Sequence, residues 1–294
     1  MLSRRAALAS LGVGAGLAAL WHRRSTSPST ALRPGHSLFC PLLSRRWETA
    51  DTLRLTFALP SASHVLGLPV PGHLVAIDPA MVYRPYTPIT IDSLASGHFE
   101  LLVRHYPRGE LSSRLARLAP GDAAHFRGPV AARYEYERGR ARQLGLVAAG
   151  TGIAPMWQLI QAVTSDPDDH TTITLLYASR TADGILLKAE LDAAVQQFPE
   201  QLSVVHVVSD GASSAPASSP CPTRIDAALL QRHMPPPEAD GTTVLVCGPE
   251  GFVRSLCGPA ARDGGENRRA NVASAELGGM LKELGYSDNQ VCWL

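Results

Sequence analysis

A chain of 294 residues, 45% hydrophobic with mean hydropathy near zero, has room for two ordinary domains, each with its own core. Five cysteines (Cys40, Cys221, Cys247, Cys257, Cys292) form no CxxC pair, and their odd number excludes a complete disulfide framework and points to a compartment that keeps thiols free. The net charge of +1 hides an asymmetry: residues 1–47 hold seven arginines and no acid, so the remainder carries −6, which argues against a nucleic-acid partner.

Met1–Arg24 reads as a targeting or anchoring segment outside the fold. Ala6 to Trp21 is sixteen uncharged, mostly apolar residues between Arg4-Arg5 and Arg23-Arg24. As a helix it spans about 24 Å at ~1.5 Å per residue, short of a ~30 Å hydrocarbon core unless the flanking arginines snorkel. Three addresses fit: a mitochondrial presequence, a retained single anchor, and a twin-arginine export signal, which Ser3-Arg4-Arg5 superficially matches. The expectation is a mitochondrial location (outer membrane or intermembrane space), with another membrane facing the cytosol as the alternative. Ser25–Gly35, rich in Ser, Thr and Pro, reads as a flexible tether, so residues 1–35 are set aside.

Residues 36–137 form the first predicted domain. Short alternating apolar runs, Leu53–Leu59, Leu74–Ile77, Phe99–Arg104 and Ala123–Phe126, stand between turn signals, the pattern of an antiparallel β-barrel or sandwich. Within it, Val82–Thr90 reads VYRPYTPIT. Pro85 and Pro88 exclude a helix and extend the residues before them. In a strand Arg84 and Tyr86 then share a face, while Thr87 points the other way. A guanidinium holds a phosphate in two-pronged fashion, an aromatic ring lies on a flat heterocycle, and a hydroxyl bonds beside it. Those are the needs of a flavin nucleotide, although a surface strand capped by prolines meets the same pattern. Downstream, Gly109-Glu110-Leu111-Ser112 opens a helix whose Leu115 and Leu118 follow Leu111 at helical spacing. A glycine turn into a helix presents free N–H groups and a positive dipole end, which suits pyrophosphate. Tyr134–Arg142, charged around Gly139, marks the boundary.

Residues 138–294 form the second predicted domain. The run Leu144–Ala149 ends in Gly150-Thr151-Gly152, and Ile153–Thr164 carries Met156, Leu159, Ile160 and Val163 at helical spacing. Strand, glycine turn and helix begin a nucleotide-binding βαβ unit, in which missing Cβ atoms let a ligand approach the backbone. Thr172–Ala178 and Leu202–Val208 read as strands. Asp183–Phe198 reads as a helix with the stripe Leu187, Leu191, Ala194 and Phe198. Ser209–Pro222 is loop composition, and Thr223 with Asp226 resembles a capping box opening Ile225–His233. Thr243–Val246 runs into Cys247-Gly248-Pro249-Glu250. Alternating strands and helices make a parallel sheet with ligands beyond its carboxyl ends, where Gly150 and Cys247 both fall. A cysteine at a strand end is also an ordinary small hydrophobe.

Arg84-Pro85-Tyr86-Thr87 resembles the Arg-x-Tyr-(Thr/Ser) flavin motif of the ferredoxin reductase-like flavoproteins, and the wider chain from about Ser37 onward resembles NADH–cytochrome b5 reductases, fungal mitochondrial members most. Phe57–Pro60, His64–Val70 and Asp166–Thr171 carry that wider likeness, and Glu276–Leu284 followed by Gly285-Tyr286 resembles the C-terminal helix of the fungal mitochondrial members. Pro155 in place of a third glycine after Gly150 and Gly152 fits the family's Gly-x-Gly-x-x-Pro rather than the dinucleotide fingerprint. The resemblance implies an FAD-binding barrel followed by an NAD-binding α/β domain. It matches His73 to a Gly-x-His histidine implicated in proton transfer, and Leu101–Tyr106 to a second flavin strand with Arg104 replacing a lysine. Phe126-Arg127-Gly128-Pro129 matches the end of the family's barrel, and Cys247 a cysteine beside the nicotinamide. Implied for cofactor binding are Arg84, Pro85, Tyr86, Thr87 and Thr90; Arg104 and Tyr106; Gly109, Glu110, Leu111 and Ser112. The same holds for Gly150, Thr151, Gly152, Ile153, Ala154, Pro155 and Met156, and for Cys247, Gly248, Pro249 and Glu250. Thr87, His73 and Cys247 are the implied catalytic residues. The family often ends in phenylalanine, whereas this chain ends Cys292-Trp293-Leu294, which puts an aromatic role at the last position in doubt.

The implied activity is hydride transfer from NADH to FAD, with electrons leaving singly to cytochrome b5 or a similar haem protein. No haem or iron–sulfur motif is present, so the acceptor is a separate molecule or domain, and a membrane is met through the N-terminal segment. A diaphorase serving a quinone, ferredoxin or another haem protein is the alternative, as is a tethered nucleotide-binding module without turnover. NADH is expected over NADPH, with Asp183 and Asp210 placed to neutralise Arg180 beside the adenosine ribose or to repel a 2′-phosphate.

Overall fold

In the computed structural model the described residues are 28–210, 224–259 and 276–294. Six strands form the first sheet: β2 (His36–Thr49), β3 (Thr52–Ala58), β5 (Gly72–Ile77), β6 (Tyr83–Tyr86), β7 (His98–Arg104) and β8 (Ala123–Ala131). Their order is β6-β5-β8-β2-β3-β7, antiparallel throughout. The two end strands meet where Pro88 bridges Leu101 and Ile89 N donates to Glu100 O at 2.9 Å, which closes the barrel. The stretch singled out in the sequence is therefore the barrel's seam. Phe57, Phe99 and Phe126 fill the interior with ring centroids 5.0–5.4 Å apart. All three are fully buried, the largest single hydrophobic contribution to this core.

The tether expected at Ser25–Gly35 is only partly one. Ser29–Thr30 (β1) pairs in parallel with His64–Val65 (β4), and Leu32 is 2% exposed inside the barrel cluster, so the fold begins before residue 36. One apolar leucine amid Ser, Thr and Pro left no periodic signal. The targeting segment 1–24 lies outside the described residues, as do residues 211–222 of the expected loop.

The second sheet is parallel, in the order β11-β10-β9-β12-β13: β9 (Gln143–Ala149), β10 (Thr172–Ser179), β11 (Leu202–Val208), β12 (Thr242–Cys247) and β13 (Val291–Trp293). Three expected elements differ. The helix of Asp183–Phe198 is a 3₁₀ turn at Ala182–Gly184 followed by α3 (Lys188–Gln197), because Leu187 takes a left-handed φ of 56° and breaks the run. Leu187, Leu191 and Ala194 are buried as the stripe required, while Phe198 is only half-buried. The helix α4 (Ala227–His233) is capped by Asp226 itself, whose carboxylate accepts from Leu229 N at 2.9 Å; Thr223 lies outside the described residues. The last helix, α6, is short, Gly279–Glu283, and ends against Gly285 at a φ of 92°.

The two domains share an apolar seam: Ile89 and Leu102 of the barrel are buried in the same cluster as Ile153, Met156 and Ile160. Arg54 on β3 adds a charged tie. Its guanidinium meets Glu48 at 2.8 Å and Glu100 at 3.5 Å within the barrel, and Glu190 on α3 at 2.5 Å. Burial lowers its pKa, but the hydrogen bonds and charges of Glu48 and Glu190 outweigh that and leave it raised. With the Arg54 and Glu48 side chains only 11% and 10% exposed, removing the cation strands carboxylates out of water. Arg54→Met is expected to cost about 3 kcal/mol of unfolding free energy, the low end for breaking a buried pair, read as a lower urea midpoint at unchanged m-value; an unchanged midpoint would show that Arg54 contributes nothing to holding the domains together.

Candidate active site at the domain junction

β6 forms because Tyr83–Tyr86 pairs with β5 in the register Leu74↔Tyr86 and Ala76↔Arg84. Arg84 is exposed, and among the described residues it has no ion pair; its Nη1 donates only to the Tyr83 carbonyl at 2.7 Å. An arginine left without a carboxylate is free to take a phosphate. Tyr86 is half-buried; burial pushes its hydroxyl up to about 12, with Arg84 opposing and Tyr106 adding to the rise. Arg84 and Tyr86 stand two apart on the same strand. Thr87 follows the strand, half-buried. The Thr90 hydroxyl is already used, accepting from Glu100 N at 3.3 Å across the seam, so it braces the barrel.

Beyond β7 the chain turns at Gly109 into α1 (Glu110–Arg117). No side chain caps this helix, and Ser113 N is the first amide to find a carbonyl, Gly109 O at 3.0 Å. The amides of Glu110, Leu111 and Ser112 have no acceptor among the described residues, which is what an anion needs. The Ser112 hydroxyl accepts from Tyr106 N at 3.3 Å, and a Cβ on Gly109 would stand 2.5 Å from that oxygen. Glycine here serves close packing of the loop, and Ser112 braces the turn with its side chain. Burial, an unpaired Arg84, a flat Tyr86 face and free helix amides together fit a dinucleotide with a planar ring, as FAD has.

In the second domain β9 and β12 are neighbours, with Cys247 in register with Ala148, so the two motif-bearing strand ends lie side by side. In the order β11-β10-β9-β12-β13, chain direction across the sheet reverses between β9 and β12, where ligands of open parallel sheets bind. The turn Gly150–Gly152 is 3₁₀, with Gly150 at a φ of 56°, and runs straight into α2 (Ile153–Ser165). The expectation that Gly152 clears space for a ligand needs correction. A Cβ there would overlap the Cys247 carbonyl and the Gly248 amide, so its bareness lets α2 start hard against β12. Ile153, Ala154, Pro155 and Met156 are buried beneath the turn; Thr151 is half-buried. Pro155 stands in the first helical turn, where no amide is needed. Gly248 packs on Ala149 and Phe252, and Pro249 and Glu250 open α5 (Glu250–Cys257) with Glu250 paired to Arg254. Burial pushes the Cys247 thiol up to about 12, a neutral thiol at physiological pH.

Arg104 and Asp51 of the barrel also face the second domain. Arg104, expected on the flavin strand, ion-pairs with Asp51 at 2.5 Å and lies over the Tyr106 ring at 6.0 Å. Its Nη1 also stands 3.5 Å from where a Gly150 Cβ would be, so it faces the second domain's glycine turn. Asp51 also meets Arg180 at 3.9 Å; among the described residues neither Asp183 nor Asp210 is its ion partner, contrary to expectation. His73, half-buried, is in register with Val130 at the start of β5. Trp293 is buried, with the Arg133 guanidinium 4.6 Å from its ring.

Sequence reasoning passed over Tyr177. Fully buried in β10, it donates to Gly150 O at 3.0 Å and accepts from Leu186 N at 3.3 Å, fixing the turn from below. In an apolar strand it read as core, and only its lone hydroxyl hinted otherwise. Asp51, Gln158 and Gln161 were missed for the same reason: their partners are remote in sequence.

Comparison with known proteins agrees with this geometry. Residues 39–136 match the oxidoreductase FAD-binding domain family and residues 146–258 the oxidoreductase NAD-binding domain family. The chain is 40% identical over 217 residues to NADH-cytochrome b5 reductase 1 of Eremothecium gossypii, covering 73% of this chain and 75% of that one. It is 34% identical over 255 residues to NADH-cytochrome b5 reductase 2 of Saccharomyces cerevisiae, covering 85% and 80%. The cytochrome b5 reductase domain of Ulva prolifera nitrate reductase superposes with a TM-score of 0.75 at 25% identity, over 90% of this chain and all of that one.

Arg84→Ala should weaken flavin retention tenfold or more, as expected for losing a charge-assisted bond of roughly 1.5–3 kcal/mol. Flavin absorbance carried through gel filtration measures it, and undiminished content would remove Arg84 from the site.

Proposed function

The chain belongs to the NADH–cytochrome b5 reductase family, and from that premise we propose that it takes a hydride from NADH onto FAD and passes electrons to cytochrome b5 or a similar haem protein. One observation carries the reading: Arg104, beside Tyr106 in the barrel, reaches the Gly150 turn of the parallel sheet, so the two nucleotide sites open on one junction. FAD when bound supplies the conversion of a two-electron donor into single electrons, which no side chain here can do. The chain's own part is to hold and orient. Arg84 and the first amides of α1 hold the phosphates, Tyr86 covers the ring, and Thr87 offers its hydroxyl at the ring's edge. His73, at the start of β5, is the candidate for moving a proton.

On the donor side the Gly150–Gly152 turn and the start of α2 receive the NADH phosphates, with Tyr177 fixing the turn's carbonyl. Cys247 acts as a neutral contact for the nicotinamide; a thiol pushed up to about 12 is neither a nucleophile nor an acid at pH 7. NADH is preferred over NADPH because the Asp51 carboxylate, 3.9 Å from Arg180, would repel a 2′-phosphate there. The N-terminal segment tethers the enzyme to a mitochondrial membrane, facing the intermembrane space or the outer surface. The acid-free, Arg- and Ser-rich composition of that segment supports this address, and among the described residues no helix is long and apolar enough to cross a bilayer.

The purified protein should be yellow and bleach anaerobically on addition of NADH, with a higher kcat/KM for NADH than for NADPH. A colourless protein, or a yellow one that NADH leaves oxidised, would sink the proposal. Cys247→Ala should keep its flavin yet reduce it more slowly at saturating NADH, by up to ~100-fold if the nicotinamide carbon is displaced. Normal reduction with a lower melting temperature would return Cys247 to the core.

A further inference from the structure

Apolar packing joins the two domains but is non-directional, so burying Ile89 and Leu102 against α2 does not by itself set how far the glycine turn stands from the flavin stretch. Two directional bonds do. Gln158 and Gln161 lie three apart on α2 and therefore on one side of it. Gln158, 1% exposed, accepts through Oε1 from Gly72 N at 2.9 Å. Gln161 donates through Nε2 to Ile89 O at 2.8 Å, sharing that donor with Trp157 O at 3.3 Å.

The two barrel partners bracket the flavin stretch. Gly72 opens β5, the strand paired with β6 through Leu74↔Tyr86 and Ala76↔Arg84. Ile89 lies three residues past Tyr86, where the seam closes on β7. At the other end α2 begins directly at the Gly150–Gly152 turn, with Gln158 about 9 Å along the helix from Gly152 at ~1.5 Å per residue. Gly72 itself packs closely on the turn before it, where a Cβ would stand 2.5 Å from Pro69 O. A rigid helix thus links the donor turn to the acceptor strand by one bond on either flank.

We propose that Gln158 and Gln161 are positioning residues that fix the register between the two domains, and so the approach of the nicotinamide to the flavin. The proposal rests on the electron-transfer reading above, for which it names the residues that set donor–acceptor geometry. The Arg54–Glu190 tie sits on α3 and holds the domains together without gripping α2.

Gln158→Met and Gln161→Met keep side-chain length and remove the bonds. In the full-chain flavoprotein, hydrogen–deuterium exchange without nucleotide should show faster exchange at the Gly72 amide in Gln158→Met. Both variants should retain flavin and be reduced by dithionite as fast as the wild type. Their limiting anaerobic reduction rate at saturating NADH should fall by ~10- to 100-fold with little change in the NADH concentration for half-saturation. Gln161 is half-buried, so its variant decides the matter should the buried Gln158→Met fail to fold. Unchanged limiting rates overturn the proposal, as does a fall explained by lost flavin or by weaker NADH binding alone. If NADH fails to reduce even the wild-type flavin, the electron-transfer reading falls, and unchanged Gly72 exchange would separately show that Gln158 holds no register.

Discussion

Everything at the junction depends on how closely α2 can begin against the end of β12. Gly152 lies under the Cys247 carbonyl with no room for a single added carbon. That contact holds Gly152 and Cys247, 95 residues apart in the chain, within one backbone thickness of each other, and it aims α2 across the sheet toward the barrel. A larger residue at 152 would push α2 outward and carry Gln158, Gln161 and Met156 with it. Close packing of this kind has no slack to absorb a displacement, because interiors are as dense as organic crystals.

The same logic explains why the junction is built from unlike forces. The Ile89–Leu102 seam supplies bulk hydrophobic stabilisation, the Arg54 cluster supplies a charged clamp at its margin, and the glutamines supply direction. Arg104 and Asp51 occupy the gap between the halves, where Arg180 also reaches. The second domain thus meets the first through α2, which supplies both the apolar and the amide contacts, and through Glu190 on α3.

Much of this could be read from the chain. The barrel strands, the helix at Gly109 and the strand–turn–helix at Gly150 obeyed local rules, and the prolines of Val82–Thr90 marked an extended stretch correctly. What stayed hidden was tertiary. Gln158 and Gln161 have the composition of a solvent-facing helix side, and nothing local shows that a barrel covers it. Gly152 looked like a ligand-clearing glycine, yet it is bare because protein atoms press on it. The break at Leu187 defeated periodicity, since a leucine in left-handed backbone is a choice the surrounding packing imposes.

The barrel's closing seam has a further consequence. Among the described residues β6 pairs along its length only with β5, and its link to β7 runs through the Pro88 bridge and the Ile89 amide, so it keeps an edge strand's open side. Such an edge invites pairing with another molecule's strand. Pro85 and Pro88 each remove an amide donor from it, and Arg84 adds a charge. The residues that shape the nucleotide cradle therefore also blunt the edge of the strand they stand on.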